Sequence, residues 1–176
     1  MARIVFDLDG TLIDSARDIH ALANRVLMDE GAAPITLDQT RQFVGNGAPT
    51  FVTRMRSACN LPEDSHDRLL SAFLAGYSNA VDQTEVFPGV EDALVALVAA
   101  GHRLAICTNK PLVPAQAVLT HTGLARFFET VIGGDSLAQV KPDPAPLIAG
   151  FEALGTGPKI YVGDSDVDAV TAQRAK

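Results

Sequence analysis

The sequence predicts an α/β fold in which a parallel sheet forms the core and an all-helical segment is inserted after the first strand. Short apolar segments typical of buried strands alternate with helical patterns over residues 86–176, and one more such segment opens the chain. Between them, residues 15–85 show helical patterns broken only by turns. We therefore expect an α/β core of residues 1–14 and 86–176 and an inserted helical subdomain of residues 15–85.

Four strands are predicted from apolar segments that stop at polar or glycine-containing loops. These segments are residues 3–6, 103–107, 130–132 and 159–162. Helices are predicted at about residues 15–31 and 90–100, after residue 111, up to about residue 154, and after residue 164. The spacing of Ser15 and Asp18 is typical of a capping box at the start of the first helix. Strands that alternate with helices pair in parallel through right-handed crossovers.

Composition excludes several classes of partner. The 176 residues carry a net charge of −7 and no basic stripe, which disfavours nucleic acid. No apolar run approaches the roughly 20 residues of a membrane span, and no signal-peptide pattern opens the chain. Cys59 and Cys107 match no zinc spacing, and Cys107 lies in an apolar run where a buried, inert thiol is expected. We expect a soluble, cytoplasmic protein; the sequence does not predict its oligomeric state.

Polar side chains follow each predicted strand. They are Asp7 and Asp9 after the first strand, Thr108 and Asn109 after the second, Lys141 downstream of the third, and Asp164 after the fourth. In open α/β sheets, ligands bind outside the carboxyl ends of the strands. A parallel sheet would therefore bring these residues to one place.

Clustered carboxylates need a cation, because two unit charges about 4 Å apart repel by on the order of 4 kcal/mol near a protein surface. Asp7 and Asp9 point the same way on an extended backbone, and Asp164 and Asp168 share a face on a helical turn. Oxygen-only ligands select a hard cation such as Mg²⁺. With that charge balanced, one carboxylate can attack phosphorus and another can act as general acid and base. The cluster predicts phosphoryl transfer.

Four motifs in order resemble those of the haloacid dehalogenase superfamily of phosphatases. They are Phe6-Asp7-Leu8-Asp9-Gly10-Thr11-Leu12, Thr108-Asn109, Lys141-Pro142, and Gly163-Asp164-Ser165 with Asp168. The resemblance implies a Rossmann-like core with a helical cap at residues 15–85. It also implies that a further strand and helix of that core are missing after Lys176.

The same resemblance assigns roles to single residues. Asp7 would be the nucleophile and Asp9 the general acid and base. Mg²⁺ would be held by the Asp7 side chain, the Asp9 backbone carbonyl and Asp164. Phosphate would be bound by Thr108, Asn109 and Lys141, with Asp168 orienting Lys141 or the metal shell and Gly10 supporting the first loop. The proton donor at position 9 favours phosphate-ester hydrolysis over dehalogenation.

Longer segments resemble bacterial phosphoglycolate phosphatases. These are Cys107-Thr108-Asn109-Lys110-Pro111, Val131-Ile132-Gly133-Gly134-Asp135, Lys141-Pro142-Asp143-Pro144-Ala145-Pro146-Leu147 and Val44-Gly45-Asn46-Gly47-Ala48. The expected substrate is a small phosphorylated metabolite, 2-phosphoglycolate. Asn46 lies either in a substrate-facing loop or in an ordinary turn, since Asn-Gly is a favoured turn dipeptide.

Two alternatives to this function stay open at the level of sequence. The first is a related capped enzyme, such as a sugar-phosphate phosphatase, a pyrophosphatase or a β-phosphoglucomutase-like enzyme, because the cap and not the core motifs would separate these. The second is a phosphate-binding module without catalysis. A lost nucleophile, general acid or lysine would mark that module, whereas Asp7, Asp9 and Lys141 are all present.

Overall fold

The computed structural model describes all 176 residues. The strands are β1 (Arg3–Phe6), β2 (Ile13–Asp14), β3 (Glu85–Val86), β4 (Arg103–Cys107), β5 (Thr130–Ile132) and β6 (Lys159–Val162). The helices are α1 (Ala16–Asp29), α2 (Leu37–Phe43), α3 (Ala48–Ala58), α4 (His66–Tyr77), α5 (Val90–Ala99), α6 (Leu112–His121), α7 (Ala145–Ala153) and α8 (Asp166–Arg174). No helix combines the length and the apolar character needed to cross a lipid bilayer.

The central sheet has four parallel strands in the order β5-β4-β1-β6, which confirms the predicted α/β fold. Successive side chains of β1 pack on opposite faces of this sheet. Ile4 and Phe6 join a hydrophobic cluster with α5 and α6, and Val5 joins another with α7. Helices therefore cover both faces of the two central strands, as a parallel sheet requires.

Helices α1 to α4 lie between β2 and β3 in the chain and bury a hydrophobic cluster of their own. Phe73 stands at its centre, with its ring centroid 5.1 Å from that of Phe51 and 4.9 Å from that of Tyr77. Val52 and Met55 are fully buried in the same cluster. The inserted helices thus have a core that is separate from the two faces of the sheet.

A second sheet, which the sequence did not predict, joins the chain segment that enters the inserted helices to the segment that leaves them. Strands β2 and β3 pair antiparallel, with Ile13 opposite Val86 and Asp14 opposite Glu85. Each strand has only two residues, so neither carries a readable alternation of apolar and polar side chains. The pair holds the start and the end of the insertion side by side.

The capping box expected at the start of α1 is wrong. Ser15 is the residue before the helix, but its hydroxyl donates to the carboxylate of Asp9 and makes no cap bond. The buried carboxylate of Asp18 accepts the backbone N–H of Gln83 at 3.0 Å and the hydroxyl of Thr84 at 2.7 Å. Both side chains have hydrogen-bond partners outside the helix, and Asp18 thereby fastens α1 to the returning chain.

Strand β6 lies at the edge of the sheet and pairs only with β1. Its apolar side chains Ile160 and Val162 are 45% and 38% exposed. The loop that carries Asp164 therefore follows an edge strand.

Candidate active site

The polar residues that follow the strands meet at the carboxyl ends of the strands. Asp7 directly follows β1 and Thr108 directly follows β4, and their backbone N–H groups continue the strand pairing by donating to Val162 and Ile132 at 2.8 and 3.0 Å. Asp164 comes from the loop after β6, whereas the residue from the β5 side, Lys141, comes from the long loop before α7. Because β4, β1 and β6 are neighbours, their carboxyl ends bring these residues together.

Lys141 is a buried cation between two carboxylates. Its Nζ lies 2.9 Å from Asp7 Oδ1 and 2.7 Å from Asp168 Oδ1, and only 2% of its side chain is exposed. The hydroxyl of Tyr161 accepts a hydrogen bond from Lys141 Nζ at 3.0 Å and donates one to Asp168 Oδ1 at 2.6 Å. Burial alone would lower the pKa of Lys141, but Asp7 and Asp168 raise it above its usual value. Lys141 therefore brings a fixed positive charge.

Asp7 is buried, and one of its oxygens is unsatisfied. Burial raises the pKa of Asp7 to about 6, while the ammonium of Lys141 opposes this shift and Asp168 adds to it. Although Lys141 Nζ is within ion-pair distance of Asp7 Oδ1, that oxygen has no hydrogen-bond partner. A buried carboxylate oxygen without a hydrogen bond has lone pairs available for a ligand or an electrophile.

Three carboxylates form an acidic cluster that fits Mg²⁺. Oxygens of Asp7, Asp164 and Asp168 all lie within 4.8 Å of one another. Asp168 is already engaged by donors from Lys141 and Ser165, whereas Asp164 is exposed. Asp7 and Asp164 are therefore the two carboxylates best placed to hold an ion. Two carboxylates, with water or substrate oxygens completing the shell, are the usual ligands of Mg²⁺.

Residues in the loop after β1 contact Asp164 and restrict its position. Thr11 Oγ1 donates to Asp164 Oδ1 at 2.7 Å. Gly10 has a φ of 90°, and a Cβ atom built on it would lie 2.4 Å from Asp164 Oδ2. The backbone conformation favours glycine at position 10, and a side chain there would displace the carboxylate of Asp164.

The carboxylate of Asp9 faces the inserted helices and lies outside the acidic cluster. Lys110 Nζ lies 3.2 Å from Asp9 Oδ1, and the hydroxyl of Ser15 donates to the same oxygen. Lys110 also donates to the hydroxyl of Tyr77, on α4, at 3.1 Å. Burial alone would lower the pKa of Lys110, but Asp9 and Tyr77 raise it. Asp9 is thus held by a buried cation that bridges the sheet and the inserted helices.

The side chain of Asn109 joins two loops through the backbone. Its Nδ2 donates to the carbonyls of Gly45 and Lys141 at 3.1 and 3.0 Å, and its Oδ1 accepts the N–H of Lys141 at 2.9 Å. Both amide hydrogens are therefore taken, although the sequence suggested a phosphate contact for this residue. The observed contacts fix the backbone of Lys141 and tie the sheet to the loop before α3.

Two recesses meet at Asp7 and Asp9. The narrower one also has lining residues from the inserted helices and the loop before α3, namely Ile19, Val44, Gly45, Gly47, Ala48, Phe51, Phe73 and Tyr77, with Thr108, Asn109 and Lys110 from the sheet side. The wider one has a volume of about 400 Å³ and includes Gly10, Ser15, Arg41 and Asp164. Asn46 lines neither recess, whereas its neighbour Gly45 lines both.

Four residues around the site were not predicted from the sequence: Ser15, Tyr77, Lys110 and Tyr161. Lys110 directly follows Thr108-Asn109 after a strand, so the rule that placed those two residues could also have found it. Tyr77 occupies an apolar helical position, and Tyr161 lies inside a strand pattern. Nothing local marks either hydroxyl as a partner of a lysine.

Comparison with known proteins gives matches over nearly the whole chain. The family model of haloacid dehalogenase-like hydrolases matches residues 4–176. A phosphoglycolate phosphatase of Cereibacter sphaeroides (strain ATCC 17029 / ATH 2.4.9) is 47% identical over 178 residues, which cover 99% of this chain and 82% of that protein. One of Rhodobacter capsulatus is 44% identical over 98% of this chain and 80% of its own length.

A solved structure matches equally widely. The crystal structure of a predicted phosphoglycolate phosphatase from Haemophilus somnus 129pt superposes with a TM-score of 0.89 at 33% identity, covering 98% of this chain and 81% of that one. The order of strands, the acidic cluster and these similarities agree with one another. The chain belongs to the haloacid dehalogenase-like hydrolases and is similar to phosphoglycolate phosphatases.

Proposed function

We propose that this chain is a Mg²⁺-dependent phosphatase that hydrolyses 2-phosphoglycolate to glycolate and phosphate through an aspartyl-phosphate on Asp7. The observation that carries the proposal is the surroundings of Asp7. Its buried carboxylate contacts the ammonium of Lys141 and lies in one acidic cluster with the exposed Asp164. We take 2-phosphoglycolate as the substrate because the similar proteins are phosphoglycolate phosphatases.

In the first half of the reaction, a carboxylate oxygen of Asp7 attacks phosphorus, and the bond from phosphorus to the bridging oxygen breaks. Asp9 gives its proton to that departing oxygen, so that glycolate leaves as an alcohol. The contacts of Asp9 with Ser15 and Lys110 orient its carboxyl group toward the narrower recess.

In the second half, Asp9 takes a proton from a water molecule that attacks the phosphorus of the aspartyl-phosphate. The acyl-phosphate bond breaks, inorganic phosphate forms, and the carboxylate of Asp7 is regenerated. The same group acts first as acid and then as base, so one carboxyl group serves both steps.

The transferring phosphoryl group needs positive charge and donors around its oxygens. We assign these to the ammonium of Lys141, the hydroxyl of Thr108 and the backbone N–H of Asn109, whose side-chain amide is occupied. Asp168 acts as a positioning residue for Lys141. Mg²⁺, held by the side chains of Asp7 and Asp164 and the backbone carbonyl of Asp9, would supply the charge that draws a phosphate to an acidic site.

Residues 15–85 are proposed to act as a cap over a core of residues 1–14 and 86–176. Two hydrogen bonds support this division of roles, from Asn109 to Gly45 and from Lys110 to Tyr77, because each crosses from the sheet to the insertion beside Asp7 and Asp9. A cap in this place would exclude water from the aspartyl-phosphate until glycolate has left.

We place the reaction in the cytoplasm. Both cysteines, Cys59 and Cys107, are free thiols, which is the form that reducing compartments maintain.

Phosphate release over a panel of substrates tests the function. The panel contains 2-phosphoglycolate, phosphorylated three-carbon acids, sugar phosphates and pyrophosphate, each assayed with Mg²⁺ and with excess chelator. We expect 2-phosphoglycolate to have the highest kcat/KM, and we expect turnover to stop with chelator and in Asp7→Asn.

Other outcomes reject the proposal in distinct ways. Full activity in excess chelator would rule out the metal. Preferred release from a sugar phosphate or pyrophosphate would replace the substrate, and isomerised sugar phosphate without net phosphate would indicate a mutase. Background phosphate release by the folded, magnesium-loaded protein would leave only phosphate binding.

A further inference from the structure

We propose that Lys110 binds a carboxylate on the leaving group of the substrate, which makes it the residue that selects phosphorylated short-chain acids. This inference rests on the proposed function and deepens it, because it names the side chain that recognises the part of the substrate other than its phosphate. Nothing in the sequence motifs assigns this role to Lys110. The argument comes from the position of its ammonium, from the walls of the recess and from the length of the substrate.

The ammonium of Lys110 is built into the recess. Only 2% of its side chain is exposed, and it lies 3.2 Å from Asp9 Oδ1 and 3.1 Å from the hydroxyl of Tyr77. It also stands over the ring of Tyr77, 4.4 Å from the centroid. Asp9 Oδ2 is 3.5 Å away, which makes this the longest of the three contacts of the ammonium. An ammonium has three donors, and a ligand in the recess that Lys110 lines can replace the long contact with Asp9 Oδ2.

Part of the wall on the side of the inserted helices is apolar. Ile19, Phe51 and Phe73 line the recess there with hydrocarbon, and all three are buried. Hydroxyl groups of a sugar placed against these side chains would lose their bonds to water without replacement. A leaving group with a single anionic end can instead put its methylene against the apolar wall and its charge on Lys110. The recess thus favours a short acid over a polyhydroxylated sugar.

The short distance between Asp9 and Lys110 also fits 2-phosphoglycolate. In 2-phosphoglycolate, one methylene separates the bridging oxygen from the carboxyl carbon. Asp9 must contact that bridging oxygen to protonate it, and Lys110 is one hydrogen bond away from Asp9. A carboxylate two bonds beyond the bridging oxygen therefore falls within reach of Lys110 Nζ. A second cation near the site, Arg41, is exposed and pairs with Asp14 in the wider recess.

The experiment compares two substrates that share the phosphate and the two-carbon skeleton. 2-Phosphoglycolate carries the carboxylate, and ethyl phosphate lacks it. kcat and KM are measured for both with the wild-type protein and with Lys110→Met, which keeps an unbranched side chain only one atom shorter and removes its charge. Circular dichroism and thermal melting check that the variant is folded. Tyr77→Phe serves as a second variant, since it removes a neighbour of Lys110 but keeps the ammonium.

We expect Lys110→Met to lower the ratio of kcat/KM for 2-phosphoglycolate over ethyl phosphate by about 10- to 100-fold, the contribution of a charge-assisted hydrogen bond. The loss should appear mainly in KM for 2-phosphoglycolate. Tyr77→Phe should keep the ratio within about threefold, since the charge stays. If Lys110→Met lowers both substrates by the same factor, Lys110 acts only through Asp9 and the proposal is overturned.

A measurement on the wild-type protein decides the case where Lys110→Met does not fold. Glycolate and its uncharged analogue glycolamide are tested as competitive inhibitors of ethyl phosphate hydrolysis. Inhibition by glycolate that is about 10-fold stronger or more supports carboxylate binding, and equal inhibition overturns it. A wild-type protein that hydrolyses ethyl phosphate and 2-phosphoglycolate equally well overturns this inference alone. One that releases no phosphate from any substrate overturns the proposed function as well.

Discussion

Lys141 Nζ lies 2.7 Å from Asp168 Oδ1, and both side chains are almost completely buried. The two residues come from different parts of the chain, the loop before α7 and the first turn of α8. Asp168 also accepts hydrogen bonds from Ser165, the residue that caps α8. Lys141, which is proposed to bind phosphate, is thus held by the first turn of α8. Correct folding of α8 is therefore needed to position Lys141 in the site.

Removing Asp168 should therefore destabilise the fold. Asp168→Asn leaves Lys141 with one buried anion fewer, and breaking a buried ion pair costs about 3 kcal/mol or more. The free energy of unfolding, measured by urea denaturation, should fall by about that amount. Asp166→Asn is the matched control, because Asp166 is exposed in the same first turn and its change should stay within about 1 kcal/mol. Equal effects of the two variants would contradict the account of Lys141.

A methyl group at position 10 should weaken Mg²⁺ binding. In Gly10→Ala the Cβ atom would lie 2.4 Å from Asp164 Oδ2, so this carboxylate must move. We expect the Kd for Mg²⁺, measured by calorimetry, to rise about 10- to 100-fold, the range found when the support of a metal ligand is lost.

Gly31→Ala is the control for the backbone strain in Gly10→Ala. Gly31 also has a positive φ, of 67°, but nothing lies within 4 Å of its Cβ position. Each variant should lose about 1–2 kcal/mol of stability from the backbone conformation. Only Gly10→Ala should change the affinity for Mg²⁺, and a similar change in Gly31→Ala would reject the role given to Gly10.

Asp18 should stabilise the junction between α1 and the returning chain. Its two buried carboxylate oxygens share the backbone N–H of Gln83, and one of them also accepts the hydroxyl of Thr84. Asp18→Ala leaves those donors without partners and should cost about 1–3 kcal/mol, with faster proteolysis near residue 83. Asp29→Ala, at an exposed position of the same helix, is the control and should change little. Unchanged stability in Asp18→Ala would contradict this role.

Cys107 should be unreactive in the folded protein. It is fully buried, and burial raises the pKa of its thiol to about 12, so very little thiolate exists at pH 8. Cys59 is only partly buried and should react with a thiol reagent first. Mass spectrometry of labelled protein should show one modification in buffer and two in guanidinium chloride. Labelling of both cysteines at equal rates in buffer would contradict the burial of β4.

The sequence was sufficient where local patterns decide the structure. All four strands of the main sheet appear at the predicted residues because each is an apolar segment closed by a polar loop, and parallel pairing then brings Asp7, Thr108 and Asp164 to the same end of the sheet. Partners that depend on distant segments could not be predicted. Ser15 has the local signature of a helix cap but bonds to Asp9, and Tyr77 bonds to Lys110, 33 residues away.

The central claim is that Asp7 carries the phosphoryl group during turnover. The most direct measurement is acid quenching of the protein while it turns over 2-phosphoglycolate with Mg²⁺, followed by mass spectrometry of its peptides. The account predicts a phosphoryl group on Asp7 in the wild-type protein and none in Asp7→Asn, which should also release no phosphate. Phosphate release by Asp7→Asn at the wild-type rate, or turnover of the wild-type protein with no phosphorylated Asp7, would contradict it.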